Sequence, residues 1–218
     1  MALNRYPEVP QDLQDYVVEE IIPLYNGFDA AHRPDHAESV ISESMSLAQH
    51  YDVQPAMVYA IAAFHDLGLC EGREHHHEVS ARIIHQTPRL RQWFTEEEIV
   101  TMAEAAEDHR ASSKHAPRTI YGRIVAEADR LIDAETVLRR TVQYGLSHYP
   151  KLNREQHYQR MVDHLHEKYA EGGYLKLWIP ESRNAERLAA LRTVIKDEEQ
   201  LHEIFARLYK ELSTAGEL

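Results

Sequence analysis

His65 and Asp66 are adjacent and close the most apolar stretch of the chain, QPAMVYAIAAFHDL over residues 54–67. A helix that is apolar on nearly every side is buried at the centre of a domain. An imidazole and a carboxylate at its end must be hydrogen-bonded, paired or bound to a cation, because burying either alone costs several kcal/mol. An Asp bonded to nearby amides beside a core His meets that demand as simply as a metal ion does. Asp129 poses the same question from IVAEADRLI, where apolar residues flank it on both sides. Its available partners are Arg130, Arg123, Arg118, solvent, or a cation shared with a distant imidazole–carboxylate pair. His36 opens HAESV, and His32 stands four residues earlier, on the same side if that stretch is helical. His76 starts one helical segment in EHHHEVSARII, and His109 ends another in AEDHRASS. The triplet His75-His76-His77 points in three directions on a helix, so at most two of its members face a common ion. Singly, each of these histidines reads as a solvated or core residue.

Taken together they would do metal chemistry. Mixed imidazole and carboxylate donors suit borderline divalent ions such as Mn, Fe, Co, Ni or Zn. Cys70 is the only cysteine of the chain, which rules out thiolate as the main ligand and an intramolecular disulfide, and fits a reducing cytoplasm. A bound divalent ion acidifies its water and neutralises charge on a phosphoryl oxygen.

The elements that must position these residues are helical. Strand signals are nearly absent, and the fold class is all-α. Helices are expected over 10–24, 34–50 with Pro34 in the first turn, 54–67 with Gly68 as its stop, and 75–86. Thr95 and Glu98 form a capping box opening 96–110. Residues 119–147 read as one long helix or two. A polar helix over 153–171 ends at Gly172-Gly173, and Ser182 is placed to cap a last long helix. In that helix Leu188, Leu191, Ile195, Leu201, Phe205, Leu208 and Leu212 recur at steps of three and four. The expected domain boundary separates a core over 1–150 from a helical extension over 151–218 that packs on it.

The chain has 218 residues, 43% hydrophobic and 28% charged, a globular balance with room for a buried core. Its formal charge of −12 and lack of a long basic run argue against broad nucleic-acid or anionic-membrane binding. No apolar stretch approaches the length of a spanning helix, and the N-terminal stretch has no signal-peptide core. A cytoplasmic location is the expectation. Fifteen histidines suggest a ligand-rich site.

The order of these residues resembles the HD-domain superfamily of metal-dependent phosphohydrolases, whose pattern runs His, His-Asp, optional His and His, then Asp. Here it is carried by His36, by His65-Asp66 in AAFHDLG, by His76 and His109, and by Asp129 in AEADRL, across roughly residues 20–135. The tail EKYAEGGYLKLWIPESRNAERLAALRTVI is similar to that of bacterial members. The resemblance implies an HD-type helical bundle with additional C-terminal helices. It implies that Asp66 holds or bridges metal, that His36, His65 and Asp129 complete one site, and that His76 and His109 help build a second. The alignment takes His76 and not His77. One or two divalent ions are expected, with Mn, Fe, Ni, Co, Zn and Mg undistinguished, and metal-activated water is the expected nucleophile.

Phosphate also needs cations from the protein. Arg33, Arg110 and Lys114 lie next to His32, His36 or His109 in sequence and are candidate phosphate binders. Glu71 and Asp108 are candidate general acids. The substrate expected is a small phosphate ester, a nucleotide above all, and the chain a monomer or homodimer. A carboxylate-bridged di-iron bundle needs two Glu-x-x-His motifs. Glu74…His77 and Glu199…His202 have that spacing but lie in charged, solvated runs. The zincin motif fails, since His77-Glu78, His166-Glu167 and His202-Glu203 each lack the second His. The reading from another class is a non-catalytic helical nucleotide-binding or regulatory module that retains a metal site.

Overall fold

The computed structural model describes residues 6–29, 32–130 and 132–215, so the first five residues of the leader reading lie outside it. Among the described residues there are ten α-helices and no strand, as the helical periodicity requires. They are α1 Gln11–Tyr16, α2 Pro34–Ala48, α3 Pro55–Phe64, α4 His76–Gln86, α5 Glu96–Glu107, α6 Ile120–Ala128, α7 Ala134–His148, α8 Arg154–Lys168, α9 Asn184–Lys196 and α10 Glu198–Ala215. None is long and apolar enough to cross a membrane.

The chain divides into two compact units, one of Met1–Arg130 with Trp178–Ser182, the other of Leu131–Leu177 with Arg183–Leu218. The boundary falls after Arg130 and not at the expected 150–151, because α7 packs on α8, α9 and α10. In the first unit α3 is central. Every residue from Met57 to Phe64 is buried, and α2, α5 and α6 pack around it. Both α2 and α3 open with proline in the first turn, where the missing N–H is no loss. The Thr95–Glu98 capping box opens α5 as its sequence indicates.

The stretch expected as a helix over 10–24 is three pieces. α1 runs into a π-turn over Val17–Ile21 and then a 3-10 turn over Ile22–Gly27. Pro23 has no N–H to continue the α ladder. The change of pitch brings Tyr25 fully inside, where its hydroxyl donates to the carbonyl of Ala63 at 2.9 Å.

Residues 178–182 are fastened to this unit by Glu127, a fully buried carboxylate on α6. Glu127 accepts from the amides of Trp178 at 2.6 Å and Ile179 at 3.4 Å, and from the Ser182 hydroxyl. Ser182 therefore does not cap the last helix; α9 begins at Asn184.

In the second unit Asp133 caps α7 by accepting from the Thr136 amide at 2.8 Å, which separates α7 from α6. The expected last helix breaks at Asp197, whose carboxylate accepts from the Gln200 amide and starts α10. Leu201, Phe205 and Leu208 are buried along α10, which packs on α7, α8 and α9.

His164 on α8 gives this unit a pH dependence. Burial, with Lys168 and Arg160 nearby, pushes its imidazole from the ordinary 6.5 down to about 4. The unfolded imidazole takes a proton that the folded one refuses. Its contribution to stability is therefore complete above pH 6.5 and is lost as pH falls towards 4. Allowing for partial exposure, the loss is about 1–2 kcal/mol. Thermal unfolding of His164→Gln and wild type between pH 7.5 and 4.5 should show the shallower acid slope in the variant; identical slopes would exclude the effect.

Candidate metal centre

The end of α3 brings His65 and Asp66 to the point where α2 delivers His36 and the end of α6 delivers Asp129. One donor atom from each of these four residues lies within 4.8 Å of all the others. His36 Nε2 stands 3.4 Å from Asp66 Oδ2 and 3.4 Å from Asp129 Oδ1. His65 Nε2 stands 3.2 Å and 3.8 Å from the same two oxygens. Asp66, His76 and His109 form a second group. Here it is the other carboxylate oxygen that takes part: Asp66 Oδ1 lies 3.5 Å from His76 Nε2 and 3.4 Å from His109 Nε2. Asp66 thus offers one oxygen to each group.

The tautomers follow from the backbone. Nδ1 of His65 faces the carbonyl of Ala62 at 2.7 Å, Nδ1 of His76 faces that of Arg73 at 2.8 Å, and Nδ1 of His109 hydrogen-bonds that of Ala106. A carbonyl only accepts, so each Nδ1 carries the proton, and whenever a ring is neutral its lone pair sits on Nε2, facing the cluster. Nε2 of His76 and Nε2 of His109 are 3.1 Å apart. Two lone pairs that close repel unless a proton or a cation lies between them. Nε2 of His65 and both ring nitrogens of His36 are buried without a hydrogen bond. Imidazole nitrogens converging on carboxylate oxygens at ion-pair distance, unbonded, fit a donor set for divalent cations.

The electrostatics agree. Burial alone would lower His65, yet the Asp66 carboxylate, with Asp129 behind it, lifts the imidazole to about 9. Burial opposes the charge on Asp66, but His65 holds the carboxyl well below its usual range. Asp129 is lowered likewise, against burial, by His65 and His36. His76 is pushed down to about 4, first by burial and then by His109. A cluster with two carboxylates and little solvent requires positive charge. Asp129, with its side chain 22% exposed against 4% or less for His36, His65 and Asp66, marks the open side.

All six sequence-nominated ligands, His36, His65, Asp66, His76, His109 and Asp129, are brought together. Asp129 also meets the first of its expected partners: Arg130 reaches its Oδ2 at 3.4 Å and donates to the His109 carbonyl at 3.0 Å. His77 pairs with Glu78 and stays out of the donor groups. Arg33 and Lys114 are exposed. Arg110 is committed, donating to the Glu74 carbonyl and, at 3.0 Å, to the Ser112 hydroxyl.

The two candidate acids do not join the cluster. Glu71 is exposed and paired with Arg82. Asp108, at the end of α5, is buried in the grip of Arg118. It accepts from the Arg118 amide at 2.7 Å and from its guanidinium at 2.9–3.1 Å. A carboxylate so held ties down the 110–118 loop, with both oxygens occupied by Arg118. Asp108→Ala is expected to cost about 1–3 kcal/mol, less than a fully buried pair since Arg118 can rehydrate. Denaturant unfolding checks this. Native stability with turnover reduced about 10²-fold or more would instead restore Asp108 as a general acid.

Two features were not visible in sequence. His32 Nδ1 bonds Asp29 at 2.8 Å while its Nε2 lies 4.0 Å from Asp66 Oδ2. Gly68 proves to be more than a helix stop. Asp66 leaves helical geometry at φ −109°, ψ 5°, and a 3-10 turn over Leu67–Glu71 passes beneath the start of α4. A Cβ on Gly68 would stand 1.9 Å from the His76 carbonyl oxygen and 2.6 Å from the Ser80 amide. The Gly68 amide donates to the Ser80 hydroxyl at 2.9 Å. The helix carrying His76 therefore rests directly on the backbone that follows His65-Asp66.

Residues 33–133 match the HD domain family model. The crystal structure of a predicted HD superfamily hydrolase from an uncultured Thermotogales bacterium aligns with 74% of this chain and 87% of its own, at 20% identity and a TM-score of 0.48. No curated protein matches the chain.

Proposed function

We propose that the chain, whose residues 33–133 match the HD domain family model, is a divalent-metal-dependent phosphohydrolase acting on a small phosphate ester, with nucleotides the leading class. The observation that carries this reading is the two-sided use of Asp66, one oxygen towards His36 and His65, the other towards His76 and His109. His36, His65 and Asp129 would hold one ion with Asp66 Oδ2, and His76 and His109 a second with Oδ1. Ions held there would supply the Lewis acidity that activates water and offsets phosphoryl charge.

The chain's own residues do the rest. The fixed tautomers of His65, His76 and His109 keep Nε2 lone pairs on the cluster without reorganisation. Arg33 and Lys114, exposed and close in sequence to ligands, would bind substrate phosphate. Arg110, with two of its five N–H donors committed, would add to them while fixing the turn before His76. The formal charge of −12 favours a small substrate over a nucleic-acid polyanion.

The test is metal analysis of the purified full chain, followed by refilling of chelator-stripped protein with Mn, Co or Ni and a panel of nucleotides and generic phosphate esters. Two ions per chain and metal-dependent phosphate release are expected, and His109→Ala should retain one ion. Protein that binds no metal and releases no phosphate from any of them would sink the reading.

A further inference from the structure

We propose that His32 is an additional ligand of the ion held by His36, His65, Asp66 and Asp129, with Asp29 as the carboxylate that orients it. The inference rests on the metal-centre reading above and extends it to residues that precede the family match, which begins at residue 33.

Asp29 Oδ1 lies 2.8 Å from His32 Nδ1, and Asp29 Oδ2 lies 3.4 Å from Arg73. The carboxylate is thus the acceptor, Nδ1 carries the proton, and Nε2 presents its lone pair. A carboxylate behind an imidazole is the usual support of a metal-bound histidine. His32 has such a carboxylate on Nδ1, whereas the cluster members His65, His76 and His109 rest on backbone carbonyls. Its ring meets that of His36 edge-on, with centroids 5.5 Å apart at 84°, so its direction is constrained.

The distances sort the donors. Two atoms each about 2.1 Å from one ion stand about 3 Å apart when adjacent and about 4.2 Å apart when opposite. His36 and His65 lie 3.4 and 3.2 Å from Asp66 Oδ2, close to the spacing of neighbours. His32 Nε2 is 4.0 Å from that same oxygen but outside the set whose donor atoms all lie within 4.8 Å of one another, so its ring must move inward to reach the ion. With that shift to make and its side chain 16% exposed, it is the outermost and most exchangeable donor. Five protein donors would give this ion a six-coordinate preference, towards Mn, Fe, Co or Ni and away from tetrahedral Zn. A plain surface pair between Asp29 and His32 would leave metal binding untouched.

The experiment uses the chelator-stripped full chain titrated with Co(II). Affinity is read by chelator competition and ligand geometry by the visible absorption of bound cobalt. His32→Ala should lower the affinity of one site about 10–100-fold and change its absorption, and Asp29→Asn should move both in the same direction by less. His36→Ala should lose that ion outright. Unchanged affinity and absorption in His32→Ala, with the ion lost from His36→Ala, would overturn the role of His32 alone. Unchanged binding in His36→Ala as well would overturn the metal centre and this inference with it.

Discussion

Asp66→Asn is expected to empty both halves of the metal centre at once. Its two oxygens face different imidazole pairs, Oδ2 towards His36 and His65 and Oδ1 towards His76 and His109. An amide keeps the shape but supplies one neutral oxygen, and its NH2 would meet nitrogen lone pairs on one side. No other residue of the set belongs to both groups. Loss of both ions and a fall in turnover of at least about 10³-fold should follow, the upper range for removing a single charge-stabilising group. The fold should persist, because the variant also relieves repulsion between Asp66 and Asp129, and far-UV circular dichroism should match wild type. Inductively coupled plasma analysis of the folded variant decides the matter. Retention of even one ion at wild-type affinity would show that the carboxylate is not shared.

Gly68→Ala should have the next largest effect, and by a different route. The atoms in the way of a Cβ are the backbone oxygen of His76 at 1.9 Å and the backbone amide of Ser80 at 2.6 Å. Neither can rotate aside as a side-chain tip would. α4 must move by more than an ångström, and overpacking of this kind costs about 3 kcal/mol or more. The same shift withdraws His76 from Asp66 and breaks the Gly68–Ser80 hydrogen bond. A lower denaturation midpoint together with loss of the second ion is the expected pair of results. A variant within about 0.5 kcal/mol of wild type, still binding both ions, would show that α4 accommodates the methyl group.

The candidate ligands were legible because each carries its demand in local context. Asp66 and Asp129 are carboxylates set in apolar runs, and the order of the histidines around them is specific even though each is ordinary alone. The helical class was equally legible from periodicity. What sequence does not show is pairing across space. Asp108 reads as a free acid next to His109, and only the folded 110–118 loop reveals Arg118 closing on it. Glu127 sits in the same IVAEAD run as Asp129 and reads as its solvent-facing neighbour. It is buried because a segment some fifty residues later needs its oxygens. The break between α6 and α7, and that between α9 and α10, turn on the capping carboxylates of Asp133 and Asp197. Aspartate in a helical run reads as easily as a surface position. Gly68 shows the same limit: the residue type announces a special position, but the reason for it is a chain eight to twelve residues away.

The carbonyls that orient His65 and His109 belong to Ala62 and Ala106, in the last turns of α3 and α5. Helix carbonyls at that end run out of amide partners, and the ligand rings occupy the acceptors left over. The register of the donor atoms is therefore written in where two helices stop. A substitution that lengthened α3 or α5 by one turn would offer those oxygens backbone amides and release the rings, with no ligand mutated. Side-chain changes nearby cannot remove a main-chain acceptor. The centre is thus tolerant of changes in its neighbours' chemistry and sensitive to changes in their length.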